Sequence, residues 1–268
     1  MNVLTDNKIL DATITSINGS ENFPATNLQN VFLHQRYQST TVNDILTVTF
    51  DNSVDIDVFF FGYTNMSTMT VDFYDASNVK IESYQILADG SVIHYYGYGL
   101  AESYGYDDQF YGYYIRNGNQ VYDPVAWYLS QTLSVKKIVI TLETESTNVF
   151  MGGIACGVIE NFSLPLSTWI DDFDDKSLVS ESEAGQVLQQ YLPPFRKYKF
   201  NFPVNSRADV VEIMNKYRAI GVGFHLWVDP FEDNHDFMIP IYCTLTAPIK
   251  SKKDGTNYEY DLNIREAR

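Results

Sequence analysis

Val54-Asp-Ile-Asp-Val-Phe-Phe-Phe61 decides the fold. Its first half alternates apolar and polar residues, the period of a half-buried strand; its second half is apolar without a break. The flanking segments repeat the period of two: Leu46-Thr-Val-Thr-Phe50 before it, then Thr70-Val-Asp-Phe-Tyr74, then Val79-Lys-Ile-Glu-Ser-Tyr84 beyond the turn residues Asp75-Ala-Ser-Asn78. Lys137-Ile-Val-Ile-Thr-Leu142 and Val149-Phe-Met-Gly-Gly-Ile-Ala155 add two more strands. Short strands divided by turn signals predict an antiparallel β-sandwich for residues 1–160. No stretch here carries a helical period.

Residues 85–133 interrupt this pattern. Ten of the 20 tyrosines fall between His94 and Tyr128, with glycines at 97, 99, 105, 112 and 118 and Arg116 as the one cation. A long insertion without structure of its own is often functional. Tyrosine supplies rigid amphipathic contact area and glycine supplies backbone freedom, a chemistry shared by paratopes and sugar-binding surfaces. Two readings stand: tyrosines packed on the sandwich or a neighbouring subunit, or tyrosines in contact with a ligand or receptor. The candidate contact residues are Tyr95, Tyr96, Tyr98, Tyr104, Tyr106, Tyr111, Tyr113 and Tyr114.

A second domain is expected over 161–268. Leu164-Pro-Leu166 and the acidic run Asp171-Asp-Phe-Asp-Asp175 read as a linker. Residues 1–160 carry 6 basic and 18 acidic groups, net −12, and residues 161–268 carry 12 and 16, net −4. Gly185-Gln-Val-Leu-Gln-Gln-Tyr191 and Arg196-Lys-Tyr-Lys-Phe-Asn-Phe202 are strand-like. Ser206 then caps a helix expected at about 207–220, whose apolar face is Val210, Val211, Met214, Tyr217 and Ile220. Strands follow at 224–228, 238–245 and 258–264. One helix on a mostly antiparallel sheet system results.

Composition excludes several function classes. No apolar run approaches the ~18 residues of a membrane span. Met1–Ile14 lacks the basic start and apolar stretch of a signal peptide, so secretion by that route is not expected. A net charge of −16 argues against nucleic acid, whose binding needs cations to displace counterions. Cys156 and Cys243 stand in apolar runs without CxxC neighbours and are read as buried thiols. His34, His94, His225 and His235 show no metal-ligand spacing; His235 in its acidic turn and the run Asp171–Asp175 are candidate cation ligands by charge but lack the pattern of a calcium loop. No phosphate loop and no nucleophile–base arrangement is present, so no catalytic residue, metal or cofactor is expected.

Two resemblances extend this reading. Phe23-Pro-Ala-Thr-Asn-Leu-Gln-Asn30, Leu46–Phe50 and Ile56-Asp-Val-Phe-Phe-Phe-Gly62 resemble the galactose-binding-like (discoidin-type) jelly roll. Residues 180–267 are similar to the distal tail or minor tail protein family of long-tailed bacteriophages. That likeness rests on Phe195–Phe202, the expected helix, Gly223-Phe-His-Leu-Trp-Val-Asp-Pro230, Ile241–Leu245 and Tyr258–Ile264. It implies a tail-tube-like β-sandwich that closes into a ring, most simply a hexamer, at the tail tip or baseplate, beside neighbouring tail proteins. The implied location is a virion assembled in the host cytoplasm. In that reading the basic residues Arg196, Lys197 and Lys199 face the acidic linker of a neighbour. The alternative is a carbohydrate-binding receptor module on a virion or cell surface, with a host-surface glycan as partner.

Overall fold

The computed structural model describes the backbone of residues 2–29, 36–87, 92–96, 100–104, 113–116, 119–122, 125–144, 148–161, 168–174, 178–181, 187–190, 195–204, 225–229, 241–246, 250–254 and 257–266. Side chains are described for 2–29, 36–62, 64–85, 126–144, 148–160, 197–201, 226–229, 241–246 and 261–266. The protein is mainly β, built of antiparallel sheets. Among the described residues no helix is long and apolar enough to cross a membrane. The chain divides into two compact units, Met1–Asn161 with Trp227–Ile241, and Phe162–Leu226 with Tyr242–Arg268.

The strands of the first unit are β1 (Asn2–Leu4), β2 (Thr13–Ser16), β3 (Tyr37–Gln38), β4 (Asn43–Thr64), β5 (Thr68–Tyr74), β6 (Lys80–Leu87), β7 (Val92–Tyr96), β8 (Leu100–Tyr104), β9 (Tyr113–Arg116), β10 (Asn119–Tyr122), β11 (Val125–Glu143), β12 (Phe150–Gly157) and β13 (Glu160–Asn161). β4 and β11 build the sandwich. They pair antiparallel from Asn43↔Glu143 to Phe61↔Val125, with register shifts between Val135 and Lys137 and between Tyr128 and Leu133. Before the shift β4 pairs with β2, and after it with β12. β11 divides likewise, its Lys137–Glu143 half also pairing with β5, which pairs with β6. One pair of long strands therefore serves both sheets and turns the corner at its irregularities. Leu46, Val48 and Phe50 from one half of β4, and Ile56, Phe59 and Phe61 from the other, enter a single core with Phe73, Trp127 and Ile140.

The unbroken apolar run has its own cause. Val58 and Phe60 point away from that core and are also fully buried. Phe60 packs on Trp227, ring centroids 5.4 Å apart. β1 lies between β13 and the segment Trp227–Asp229, pairing with both. A strand buried on both faces loses its alternation. Gly157 permits this close packing, because a Cβ there would lie 2.6 Å from the Asp6 carbonyl oxygen and 2.9 Å from Leu4 Cδ1. At the opposite edge, Asp75–Asn78 turns β5 into β6. The Asp75 carboxylate accepts from the Ser77 and Val79 N–H groups at 2.8 and 2.9 Å, and Asn78 takes φ 59°.

The remaining strands are β14 (Thr168–Asp174), β15 (Leu178–Glu181), β16 (Val187–Gln190), β17 (Phe195–Val204), β18 (His225–Asp229), β19 (Ile241–Leu245), β20 (Lys250–Asp254) and β21 (Asn257–Glu266). In the second unit β17 lies between β14 and β21, and β19 and β20 both lie on the far side of β21. β15 and β16 form a separate hairpin. Tyr198 and Phe200 are buried while Lys199 is exposed, the alternation expected of β17. One expectation is corrected: Asp171, Asp172 and Asp174, read as linker, stand in strand β14. Pairing with β17 along its whole length, from Thr168↔Asn201 to Asp174↔Phe195, makes this segment a strand, and Trp169, Ile170 and Phe173 are its apolar members. The helix expected at 207–220 lies outside the described residues.

Candidate recognition end of the first unit

The register of the sandwich brings its loops together at one end. Asn43, Glu143, Thr68 and Leu87 stand level across β4, β11, β5 and β6. The other sheet ends at the same place, because Thr64 pairs with Met151 and Phe150 pairs with Gln38. Backbone bonds close the circle: the Ser67 N–H donates to Glu143 O, the Thr144 N–H to Val42 O and the Ser39 N–H to Val149 O, at 2.7 to 2.8 Å. β6 leaves this end at Leu87 and β11 returns to it at Val125, so the Tyr/Gly insertion springs from it.

Within the insertion the backbone forms two hairpins, β7–β8 and β9–β10. β10 joins the sandwich through Tyr122, which pairs with Thr64. Tyr95 stands opposite Ala101, Tyr96 opposite Leu100 and Tyr104 opposite Val92. Tyr113 stands opposite Tyr122 and Tyr114 opposite Val121. Directly opposed residues share a face, so Tyr113 and Tyr122 form a cross-strand aromatic pair position. Tyr98, Tyr106 and Tyr111 lie outside the described residues.

Sequence reasoning missed the other half of this end. Ile17, Val42 and Phe23 are 70%, 45% and 38% exposed on the loops beside it. Their signal was available: single large apolar residues inside Ser16-Ile-Asn-Gly-Ser20 and Thr40-Thr-Val-Asn43. These loops are firmly tied. Buried Asp44 accepts from the Asn18 and Ile45 N–H groups at 2.8 and 2.7 Å and from the Tyr37 hydroxyl. Burial first, then the Asp44 carboxylate, pushes the Tyr37 phenol well above its usual range, so it stays a donor. The Thr40 N–H donates to Asn18 O at 2.7 Å, and the Ser20 N–H to Gln38 O at 2.9 Å. Polar side chains stand at this end too. The Arg36 guanidinium lies 4.5 Å above the Phe150 ring, and Asn65 bonds to the Phe150 N–H and the Asn148 carbonyl.

The other candidate residues sit elsewhere. Arg196, Lys197 and Lys199 belong to β17, an interior strand with neighbours on both sides. Asp172 of the same chain stands opposite Lys197. Burial pushes the thiols of Cys156 and Cys243 far up, with the Glu266 carboxylate adding to the effect at Cys243. Both are therefore protonated and shielded. Among the described residues no three metal-capable side chains converge.

No protein-family model matches the chain, and no curated protein matches it. Solved structures with a similar arrangement include chitosan-binding module 1 of a chitosanase/glucanase from Paenibacillus sp. IK-5, with 9% identity, 57% of this chain and 99% of that one covered, and a TM-score of 0.39. The lectin domain of lectinolysin complexed with Lewis B antigen has 7% identity, covers 57% of this chain and 97% of its own, and has a TM-score of 0.38. A Ruminococcus gnavus GH29 fucosidase in complex with fucose has 8% identity, covers 58% and 27%, and has a TM-score of 0.40. At such identities the neighbours' ligands are properties of the neighbours.

Proposed function

We propose that the protein is a non-catalytic recognition module that binds a surface glycan at the loop end of its first unit. One observation carries this reading: the strand register gathers the Tyr/Gly hairpins and the exposed Ile17, Phe23 and Val42 at one end. Phe23 offers a flat apolar face on which a sugar ring can stack, Ile17 and Val42 add apolar contact beside it, and the side-chain amides of Asn18 and Gln38 are candidate hydroxyl partners. The test is a glycan array probed with the full chain, repeated with Phe23→Ser and with Ile17→Ser. Retention of a defined set of oligosaccharides, reduced at least about tenfold by either substitution, supports it. Retention untouched by both, or no retention, overturns it.

A second reading, a ring-forming structural protein of a phage tail tip, is favoured by a different feature. Of the segments that resemble the distal tail proteins, Phe195–Phe202, Ile241–Leu245, Tyr258–Ile264 and part of Gly223–Pro230 form strands β17, β19, β21 and β18, and the expected helix lies outside the described residues. It would place the protein in a virion assembled in the cytoplasm, among other tail proteins. Electron microscopy of the purified chain at high concentration tests it: closed rings support it, and monomers alone reject it.

A further inference from the structure

Among the described residues, the sheet of the second unit has two edge strands of opposite charge. β14 carries Asp171, Asp172 and Asp174 and no cation; β20 carries Lys250, Lys252 and Lys253, with Asp254 at its end. Among the described residues no strand pairs with the outer side of either one. An unpaired edge is a row of open N–H and C=O groups that another chain can use.

Strand direction and register restrict what can dock. β14, β17, β21 and β20 alternate in direction along the sheet. A copy that continues the sheet past β14 therefore presents its own β20 antiparallel to β14. One antiparallel register sets Asp171 against Lys253, Asp172 against Lys252 and Asp174 against Lys250 at once. Moving it two residues in one direction leaves a single acid–lysine match, and in the other it sets Asp172 against Asp254.

The faces agree as well. Asp172 stands opposite Lys197, and Lys197 opposite Arg265, on the face that exposes Lys199. Lys250 stands opposite Asp261 and Lys252 opposite Glu259, on that same face by the two-residue period of β21. The row across the seam would read Arg265, Lys197, Asp172, then Lys252 and Glu259 of the next copy. A carboxylate lies between cations there, and a lysine between carboxylates.

We propose that copies of this chain associate head to tail, β20 of one beside β14 of the next, in the register that matches these three charge pairs. The contact is heterologous, so it builds a ring where the rotation closes and a filament where it does not. This deepens the ring reading by naming its interface, and it is independent of what the first unit binds.

The test is a charge swap, read by analytical ultracentrifugation of the full chain in low salt and in about 0.5 M salt. One variant carries Asp171→Lys, Asp172→Lys and Asp174→Lys; the other carries Lys250→Glu, Lys252→Glu and Lys253→Glu. Wild type should associate in low salt and less in high salt. Each variant alone should associate at least about tenfold more weakly. Mixed one to one, their swapped edges match again, and association should return. That recovery also shows that both variants are folded. A monomeric wild type at about 100 μM overturns both this interface and the ring reading. Association that neither variant alters, or that the mixture fails to restore, overturns the interface and leaves the ring reading standing.

Discussion

Tyr128 joins the first strand of the protein to residues a hundred positions later. Its hydroxyl donates to the Asp229 carboxylate at 2.6 Å and accepts from the Asn2 side-chain amide at 3.1 Å. Asp229 is fully buried, so this bond to a charged group contributes more than a surface one, about 2 kcal/mol. Tyr128→Phe should lower stability in urea by that amount, while Tyr74→Phe, whose ring lies under Lys137, should change little. Equal effects would remove Tyr128 from its role as a tie. Asp57 gives the opposite expectation. Burial raises its carboxyl pKa, and the bond it accepts from the Ile159 N–H at 2.8 Å opposes that rise only in part. A raised folded pKa means a contribution that is present at low pH and lost as pH climbs through it. Asp57→Asn keeps the acceptor and removes the charge, so it should match or exceed wild-type stability at pH 7, and the difference should vanish near pH 3. A clear loss at pH 7 would show that the charge itself is needed. Neither tie was legible in the sequence, because Asn2, Tyr128 and Asp229 meet only through long-range pairing. The turn at Asp75 was legible, because its hydrogen bonds are all local.

The elements show where a periodicity argument stops. Alternation places Phe59 and Phe61 on one face of β4 and Val58 and Phe60 on the other, and a two-layer sandwich would leave the second face wet. Instead β1 and Trp227–Asp229 cover it. Phe60→Ala should therefore cost about as much as Phe59→Ala, roughly 3–5 kcal/mol each, in thermal or urea unfolding. A cost below about 1 kcal/mol for Phe60 would mean that the outer layer contributes nothing. The apolar run was visible, but its covering was not, since β1 is three residues long and β13 only two. β14 is the converse case. Its aspartates outweighed its aromatic residues in a local reading, and pairing with β17 decided the matter. Edge strands tolerate charge because one side of the ladder stays in water.

At the scale of the molecule, the Tyr/Gly insertion is an addition to a ladder that is complete without it. β4, β11, β5 and β6 pair with one another through residues 43–61, 68–74, 80–87 and 125–143, none of which lies inside the hairpins. Among the described residues, the strand pairing that joins the insertion to the ladder is Tyr122↔Thr64. Its two ends leave from the same end of the sandwich, so a short linker can join them. Replacing residues 88–124 by about eight Gly/Ser residues should leave a cooperative transition. Shortening the loop reduces its closure entropy by about 1 kcal/mol, which offsets part of what is lost at Tyr122. Composition marks this segment as foreign to the sandwich, while its strands, only four or five residues long, are too short to show a period in the sequence. Glycan retention should fall at least about tenfold in the shortened chain while its far-ultraviolet circular dichroism and melting stay close to wild type. If the shortened chain keeps full retention, Ile17, Phe23 and Val42 suffice for binding and the tyrosines serve another contact. If it aggregates or melts without cooperativity, the hairpins belong to the fold of the first unit and not to its function.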